Sequence, residues 1–97
     1  KKGTGKTESA NMEWPAFGIY PNPADKSLTV RGNFAENAEM SARITDGFGR
    51  QIAGPWRLTG REMNHLSLDL SGLPGGIYFL KIESANGAVT RKFMVLR

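Results

Sequence analysis

The stretch IYFLKIESANGAVTRKFMVLR (residues 77–97) decides the fold, because it holds two strand patterns joined by a turn signal. From Ile77 to Glu83, every second residue is apolar, and some of the residues between them are apolar as well. A strand that is apolar on both faces is typical of the centre of a sheet. Asn86-Gly87 predicts a two-residue hairpin turn, since glycine readily takes the positive φ that such a turn needs. Ala88 to Leu96 is then the returning strand.

The returning strand carries a charged residue on its apolar face. Strict alternation puts Arg91 on the same side as Val89, Phe93 and Val95. Because a guanidinium group is costly to bury without a partner, the alternation has to be interrupted or the side chain has to reach water. We therefore expect either a β-bulge near Thr90 to Lys92 or a strand end that reaches solvent.

The same period-two alternation recurs upstream of the hairpin, in residues 27–31, 39–46 and 65–70. Turn-forming glycine, proline and asparagine separate these stretches, which gives about seven strands at a spacing of roughly ten residues. We therefore predict an all-β fold, an immunoglobulin-like antiparallel β-sandwich of two sheets. Its inward-facing residues are expected to include Leu28, Val30, Met40, Ala42, Ile44, Leu66, Leu68 and Leu70.

Prolines and glycines mark where the strands end. The first short strand, Phe17 to Tyr20, meets Pro21-Asn22-Pro23, where two prolines fix φ and remove two backbone donors. Asp46-Gly47-Phe48-Gly49 predicts a second hairpin. The strand that returns from it, Arg50 to Ala53, is expected to break at Gly54-Pro55.

Composition and charge limit the classes of protein to which the chain can belong. There is no cysteine, so neither disulfides nor thiolate metal sites contribute. The 13 basic and 9 acidic residues are interspersed, so a net charge of +4 indicates a mixed solvated surface. Residues 1–15 are polar and lack apolar periodicity, which predicts a flexible linker, followed by one domain over residues 16–97. A first residue other than methionine makes us expect a processed piece or a fragment.

No constellation of side chains in the sequence predicts an enzyme. His65 is the only histidine, and it is expected on the outer face of its strand, where Asp69 is too distant to complete a metal site. Asp46, Asp69 and Glu83 lie at separate strand ends, so paired-carboxylate hydrolysis has no support. Gly5-Lys6-Thr7 resembles the end of a phosphate-binding loop but lacks the preceding strand and the following helix. We expect no catalytic residue, metal or cofactor.

Aromatic and basic residues raise two binding alternatives. Trp14, Tyr20, Trp56 and Tyr78 are candidates for a sugar-binding face, with Trp56 beside Pro55 as the expected exposed platform and Tyr78 in the core. A nucleic-acid surface would need basic residues collected on one sheet face. The basic residues are spread over several strands instead, so we expect no nucleic-acid partner; they include Arg31, Arg43, Lys81, Arg91 and Lys92.

Three blocks of sequence follow one another in a fixed order. They are IYPNPA (19–24) with LTV (28–30), then ITDGFGRQI (44–52), then LSGLPGGIYFLKI (70–82) with RKFMV (91–95). Together they resemble the C-terminal sorting domain of proteins exported by the type IX secretion system of Bacteroidetes. The resemblance covers Phe17 to Arg97. Its structural motif positions are Pro21, Asn22, Pro23, Gly47, Gly49, Gly75, Gly76 and Tyr78.

The resemblance implies that the domain is an export signal and not an enzyme. The cargo would precede it, reach the periplasm, and pass to the outer membrane, the cell surface or the medium. The partners implied are the type IX machinery of the periplasm and outer membrane, with no small-molecule substrate. We expect recognition to use the last hairpin, through strand addition at its edge and through Lys81, Lys92, Phe93, Met94 and Val95.

The resemblance also implies processing by a sortase-like cysteine protease that attaches the cargo to the surface. Cleavage would fall before Phe17, with Thr7, Ser9 and Ala10 as candidate positions, because a protease needs extended, accessible backbone. Weak self-association through an exposed edge is a further expectation. Two alternatives stay open at this point: an adhesin-like or carbohydrate-binding module of a secreted protein, and a structural spacer.

Overall fold

Two antiparallel sheets pack face to face in the computed structural model, which describes residues 15–97. The three-stranded sheet has the order β1-β2-β5 and the four-stranded sheet the order β4-β3-β6-β7. This arrangement confirms the predicted all-β sandwich and its number of strands. The elements are β1 (Phe17–Tyr20), β2 (Ser27–Gly32), β3 (Glu39–Asp46), β4 (Gln51–Thr59), α1 (Gly60–Met63), β5 (His65–Asp69), β6 (Gly76–Ser84) and β7 (Gly87–Val95).

The core lies between the two sheets and follows the alternation of the sequence. Each strand turns every second side chain inward, so apolar residues at period two meet across the interface. Leu28 and Val30 of β2 and Leu80 and Ile82 of β6 are fully buried. Further buried residues are Met40, Ala42, Ile44, Leu68, Leu70, Tyr78, Phe93 and Val95. The β6 strand lies between β3 and β7, as its two apolar faces predicted.

Strand β4 continues through Gly54 and Pro55, so the predicted break there is wrong. Proline is tolerated at sheet edges and at bulges. Strand β4 offers both conditions, because it is the outermost strand and its register against β3 shifts between Ala42 and Ile44. Gly54 has φ +89°, and a Cβ there would lie 2.8 Å from the Ala42 carbonyl oxygen. The irregularity therefore requires glycine at position 54.

Strand β7 has no bulge, so that part of the prediction is also wrong. Its residues pair one to one with β6, from Gly76 opposite Val95 to Ser84 opposite Gly87. Arg91 keeps its place on the inward side and reaches solvent at the edge of the sandwich. Its guanidinium carbon lies 4.5 Å from the centre of the Phe17 ring of β1. Arg91 can reach solvent because β7 is an edge strand, so that an inward-pointing side chain extends past the edge of the opposite sheet.

Two short connections differ in detail from the sequence prediction. The β6–β7 turn consists of Ala85 and Asn86, one residue earlier than predicted, and Gly87 with φ +122° already belongs to β7. The connection before β5 contains the single helical turn α1, which the sequence analysis did not predict. A capping box starts this turn: the Thr59 side chain accepts from the Glu62 N–H, and the Glu62 carboxylate accepts from the Thr59 N–H.

Candidate recognition edge

The four-stranded sheet has two outer edges, formed by β4 and β7. An edge strand presents N–H and C=O groups that a further chain segment can pair with. In β4 this row is interrupted, since Pro55 has no N–H and the Gly54 carbonyl accepts from the Gln51 side chain at 2.8 Å. In β7 the row is regular. The β7 edge is therefore the place in this sheet where strand addition is geometrically simplest.

Residues Pro21–Asp25, here called the strap, cover the C-terminal part of the β7 edge. The Ala24 N–H donates to the Met94 carbonyl at 2.7 Å, and the Leu96 N–H donates to the Ala24 carbonyl at 2.8 Å. These bonds form a parallel bridge between Ala24 and β7. The Asn22 side chain accepts from the Met94 N–H at 3.1 Å and donates to the Lys92 carbonyl at 3.4 Å. The sequence predicted a stiff corner here but not this contact.

The last residue of the chain, Arg97, fastens the strap to the sandwich. Its guanidinium donates to the Asp25 carboxylate at 2.8 Å and also to the Asp25 carbonyl. The same group donates to the Leu73 carbonyl at 2.9 Å and to the Leu70 carbonyl. Arg97 thus links the strap to the loop after β5, and Ala24 is fully buried beneath it. A planar group with several donors suits this multiple contact.

Within residues 15–97, the N-terminal part of the β7 edge is unpaired. Backbone groups of alternate residues in a strand point to the same side. Since those of Met94 point outward to the strap, those of Thr90 and Ala88 point outward as well, together with the Lys92 N–H. No segment of residues 15–97 pairs with them. We call residues 88–92 the open half of the β7 edge.

The predicted recognition residues divide between two environments. Lys81, Lys92 and Met94 lie on the outer surface of the β6–β7 hairpin. Phe93 and Val95 are 1% exposed and belong to the core, so a partner of the folded domain meets only the first three side chains. Ile77, opposite Met94 in the register, is 46% exposed and adds an apolar contact that the sequence analysis missed. The assignment of all five to recognition stays a prediction.

The outer face of the four-stranded sheet carries more basic than acidic side chains. Outward positions hold Arg43, Arg57, Lys81 and Lys92 against Glu39 and Glu83. Glu83 is bonded to Arg43 and lies 3.8 Å from Lys81. The hydrogen bond from Arg43 and the two neighbouring positive charges hold the pKa of Glu83 below its ordinary value. Lys92 has no ion pair within residues 15–97, so its charge is available to a partner.

The turn between β3 and β4 is built around Asp46. Its carboxylate accepts from the backbone N–H groups of Phe48 and Arg50 at 2.9 and 3.0 Å and from the Arg50 guanidinium at 2.8 Å. Burial raises the pKa of Asp46, but these hydrogen bonds together bring it below its ordinary value. Gly47 and Gly49, the latter with φ +83°, allow the tight path of the chain. Phe48 projects from the turn and is 88% exposed.

The motif around Tyr78 supports the start of β6. The Tyr78 hydroxyl donates to the Pro74 carbonyl at 2.7 Å, which holds the loop containing Gly75 and Gly76 against the strand. Its ring stacks on Phe93 with 5.9 Å between ring centres. The expected core position of Tyr78 is thereby confirmed. These contacts place the beginning of β6 against the end of β7.

The remaining candidate residues do not converge on a site. His65 is exposed, as expected, and the described part of the chain contains no group of three histidine, aspartate or glutamate residues that could hold a metal. Trp56 is half-buried and packs on the core, so the expected exposed platform is wrong. Arg31 faces outward from the three-stranded sheet, apart from Lys81 and Lys92. Gly5-Lys6-Thr7, Ser9, Ala10 and Trp14 lie outside the described residues.

Within residues 15–97, no helix is both long and apolar enough to cross a membrane. A groove of about 710 Å³ lies on the outer side of β3 and β4. Arg43 and Arg57 line it together with Glu39, Glu62 and Glu83. The groove thus carries charges of both signs.

Comparison with known proteins relates these features to a family. Residues 18–96 match the family model described as the secretion system C-terminal sorting domain, that of type IX secretion. No curated protein matches the chain significantly. A solved DUF3244 family protein from Bacteroides vulgatus, with an immunoglobulin-like β-sandwich fold, is similar at 20% identity and a TM-score of 0.65, over 80% of this chain and 81% of that one. CopC from Methylosinus trichosporium is similar at 18% identity and a TM-score of 0.47, over 82% and 91%.

Proposed function

The chain belongs to the family of type IX secretion C-terminal sorting domains, and on that premise we propose that it carries an upstream cargo across the outer membrane as a folded, non-catalytic signal. The match to the family over residues 18–96 is the observation that carries this proposal. A type IX signal belongs to a secreted protein that passes to the outer membrane or the cell surface. Membership also implies contact with the secretion machinery.

We propose further that the machinery reads the last hairpin. The regular β7 edge and the outward side chains of Lys81, Lys92 and Met94 support this. Main-chain pairing would supply affinity, and the outward side chains would supply specificity. Phe93 and Val95 would act through the fold of the hairpin, because both are buried. Weak self-association would use the same edge.

Processing completes the proposal. A sortase-like cysteine protease would cleave before Phe17, in the segment that contains Thr7, Ser9 and Ala10, and would attach the cargo to the surface. The polar composition of residues 1–15 supports an accessible cleavage site. Substitution of each candidate position by proline, followed by sequencing of the released N-terminus of the domain, would locate the cleaved bond.

A reporter fusion tests the proposed function. Residues 1–97 are fused to the C-terminus of a periplasmic reporter in a type IX-competent host, beside a strain that lacks the secretion system. The expected result is reporter on the surface or in the medium of the first strain and in the periplasm of the second. Periplasmic retention in both strains would refute the export role, provided that the fusion protein is intact and folded.

A further inference from the structure

The open half of the β7 edge points to a definite kind of partner. We infer that it binds an extended, acidic segment of the partner protein, which adds as a strand beside residues 88–92. This inference rests on the proposed function, since it names what the recognition edge takes. Three features support it. The strap limits the length of the added strand, two cations without ion pairs favour acidic side chains in it, and one half-buried apolar residue favours an apolar side chain.

The strap fixes where the added strand has to end. It already occupies the edge from the Lys92 carbonyl to the Leu96 N–H, and it does so by main-chain pairing at Ala24. The edge of β7 is therefore competent to pair with a chain segment, and residues 88–92 are the part of it that no other described residue covers. Without displacement of the strap, the partner pairs over about five residues, a span typical of one short strand.

Positive charge lies on both sides of the open half. Lys92 points to the outer face, and Arg91 points to the other side, where it stacks over Phe17. Neither makes an ion pair within the described residues. The nearest acidic side chain on the outer face, Glu83, is occupied by Arg43 and Lys81. A carboxylate on either face of an added strand therefore lies near a cation, which is Lys92 on the outer face and Arg91 on the other. Basic side chains at the same positions would lie opposite a like charge.

The second inward-facing residue of the open half, besides Arg91, is apolar. Val89 lies on the inward side of β7, is partly buried and packs against the core. A partner side chain opposite it would extend the same apolar surface. The favoured segment thus carries carboxylates opposite Lys92 and Arg91 and an apolar residue opposite Val89. The other edges fit less well, because β4 is irregular at Gly54-Pro55 and β1 and β5 are short.

Binding of defined peptides tests the inference on the 97-residue chain. The probes are acetylated, amidated pentapeptides, Glu-Glu-Thr-Val-Thr for antiparallel and Thr-Val-Thr-Glu-Glu for parallel addition, with lysine in place of glutamate as controls. Amide chemical shifts are followed during titration. The expected result is saturable shifts at residues 88–92 with one glutamate peptide and at least about tenfold weaker binding of its lysine counterpart. Equal binding of both peptides, or shifts confined to another surface, would overturn the inference.

Thr90→Pro is the decisive variant. It removes an outward N–H and places a ring in the path of the added strand, without breaking a bond to β6. Thr90→Val keeps the N–H and serves as the matched control. Thr90→Pro should weaken peptide binding at least about tenfold, and Thr90→Val by less than about twofold. Undiminished binding by a folded Thr90→Pro chain would contradict strand addition.

Charge reversal gives a second measurement that needs no proline. Lys92→Glu should weaken binding of the glutamate peptide by roughly tenfold. Arg57→Glu, the same charge reversal on the opposite edge strand, should leave that binding unchanged. Equal effects of both variants would show a general response to net charge and refute the local site. A stable dimer that Thr90→Pro abolishes, without peptide binding, would identify a second copy as the occupant and overturn the inference.

The export fusion separates this inference from the proposed function. If the wild-type fusion is exported and a folded Thr90→Pro fusion is exported equally well, the export role stands and the edge inference is wrong. If the wild-type fusion is not exported, the export role fails, and the peptide titration alone decides whether the edge binds acidic segments. Loss of export in Thr90→Pro with normal export in Thr90→Val supports both.

Discussion

The two edge strands of the four-stranded sheet, β4 and β7, differ in how their outward backbone N–H and C=O groups are blocked. At β4, Pro55, Gly54 and a register shift interrupt the row of backbone groups. At β7 the row stays regular, and the strap covers only its C-terminal part. Exposed regular edges invite aggregation, and proteins usually block them. Our proposal of a binding edge with a defined length accounts for a β7 edge that, within residues 15–97, is covered in one half and unpaired in the other.

The β7 side is expected to tolerate core truncation less than the β4 side. Phe93→Ala removes a ring that is 1% exposed and stacks on Tyr78, so it should lower the free energy of unfolding by about 3–5 kcal/mol. Leu58→Ala on β4 truncates a smaller, half-buried side chain and should have a smaller effect. Denaturant unfolding measures both. A larger loss for Leu58→Ala would contradict the described packing.

Removal of the terminal guanidinium should loosen the strap. Arg97→Ala eliminates the contacts to Asp25, Leu70 and Leu73 and is expected to lower stability by about 1–2 kcal/mol, less than a buried bond would because Arg97 is partly exposed. Arg97→Lys should restore little of this stability, since an ammonium group lacks the planar, forked set of donors of a guanidinium group. Thermal unfolding of the two variants measures this. Full rescue by lysine would show that charge alone matters.

Asn22→Ala should extend the open half toward the C-terminus. It removes the side-chain bonds to Met94 and Lys92, at a cost of about 1 kcal/mol. Hydrogen exchange of the Met94 amide should accelerate, while that of the Phe93 amide, which points to β6, should change less. Gln51→Ala, which removes the corresponding side-chain bond on β4, should leave Met94 unaffected. An unchanged Met94 exchange rate in Asn22→Ala would contradict the contact.

Low pH should lower the free energy of unfolding of the domain modestly. A hydrogen bond from Arg43 and neighbouring positive charges lower the pKa of Glu83 in the folded state, and hydrogen bonds with Ser71 lower the pKa of Asp69. At Asp46, hydrogen bonds outweigh burial and lower the pKa. A lowered folded pKa means that the stabilisation is complete above the ordinary values of 3.8 for aspartate and 4.5 for glutamate and is lost as the pH falls through the folded values. Unfolding midpoints should decline from about pH 4.5 downward. Glu83→Gln should reduce this decline, and an identical acid response in the variant would refute the role of Glu83.

The sequence predicted what depends on local pattern. Period-two alternation located the inward residues of β2, β3, β5 and β6, and Asp46-Gly47-Phe48-Gly49 located the β3–β4 turn. The break at Gly54-Pro55 was predicted wrongly, because local propensity does not show that β4 is an outermost strand where proline is tolerated. The capping box of Thr59 and Glu62 was readable from its spacing but was missed.

The recognition edge depended on contacts between distant parts of the chain. The pairing of Asn22 and Ala24 with β7 joins residues about 70 positions apart, and no local pattern encodes it. The sequence predicted a donor-poor corner at Pro21-Asn22-Pro23 but not that this corner covers half of an edge. The sequence analysis also grouped buried Phe93 and Val95 with exposed Lys92 as contact residues, although local alternation separates them. Alternation alone places Lys92 and Met94 outside, and the topology then identifies which edge they flank.

Site-specific photocrosslinking compares the two edges directly in cells. A photoreactive amino acid replaces Thr90 in the open half of the β7 edge or, in a second strain, Arg57 on β4, within the exported reporter fusion. The account predicts that irradiation joins the Thr90 position to a component of the secretion machinery, through a segment rich in aspartate or glutamate, and that the Arg57 position gives no such product. The same product from both positions, or from Arg57 alone, would contradict it.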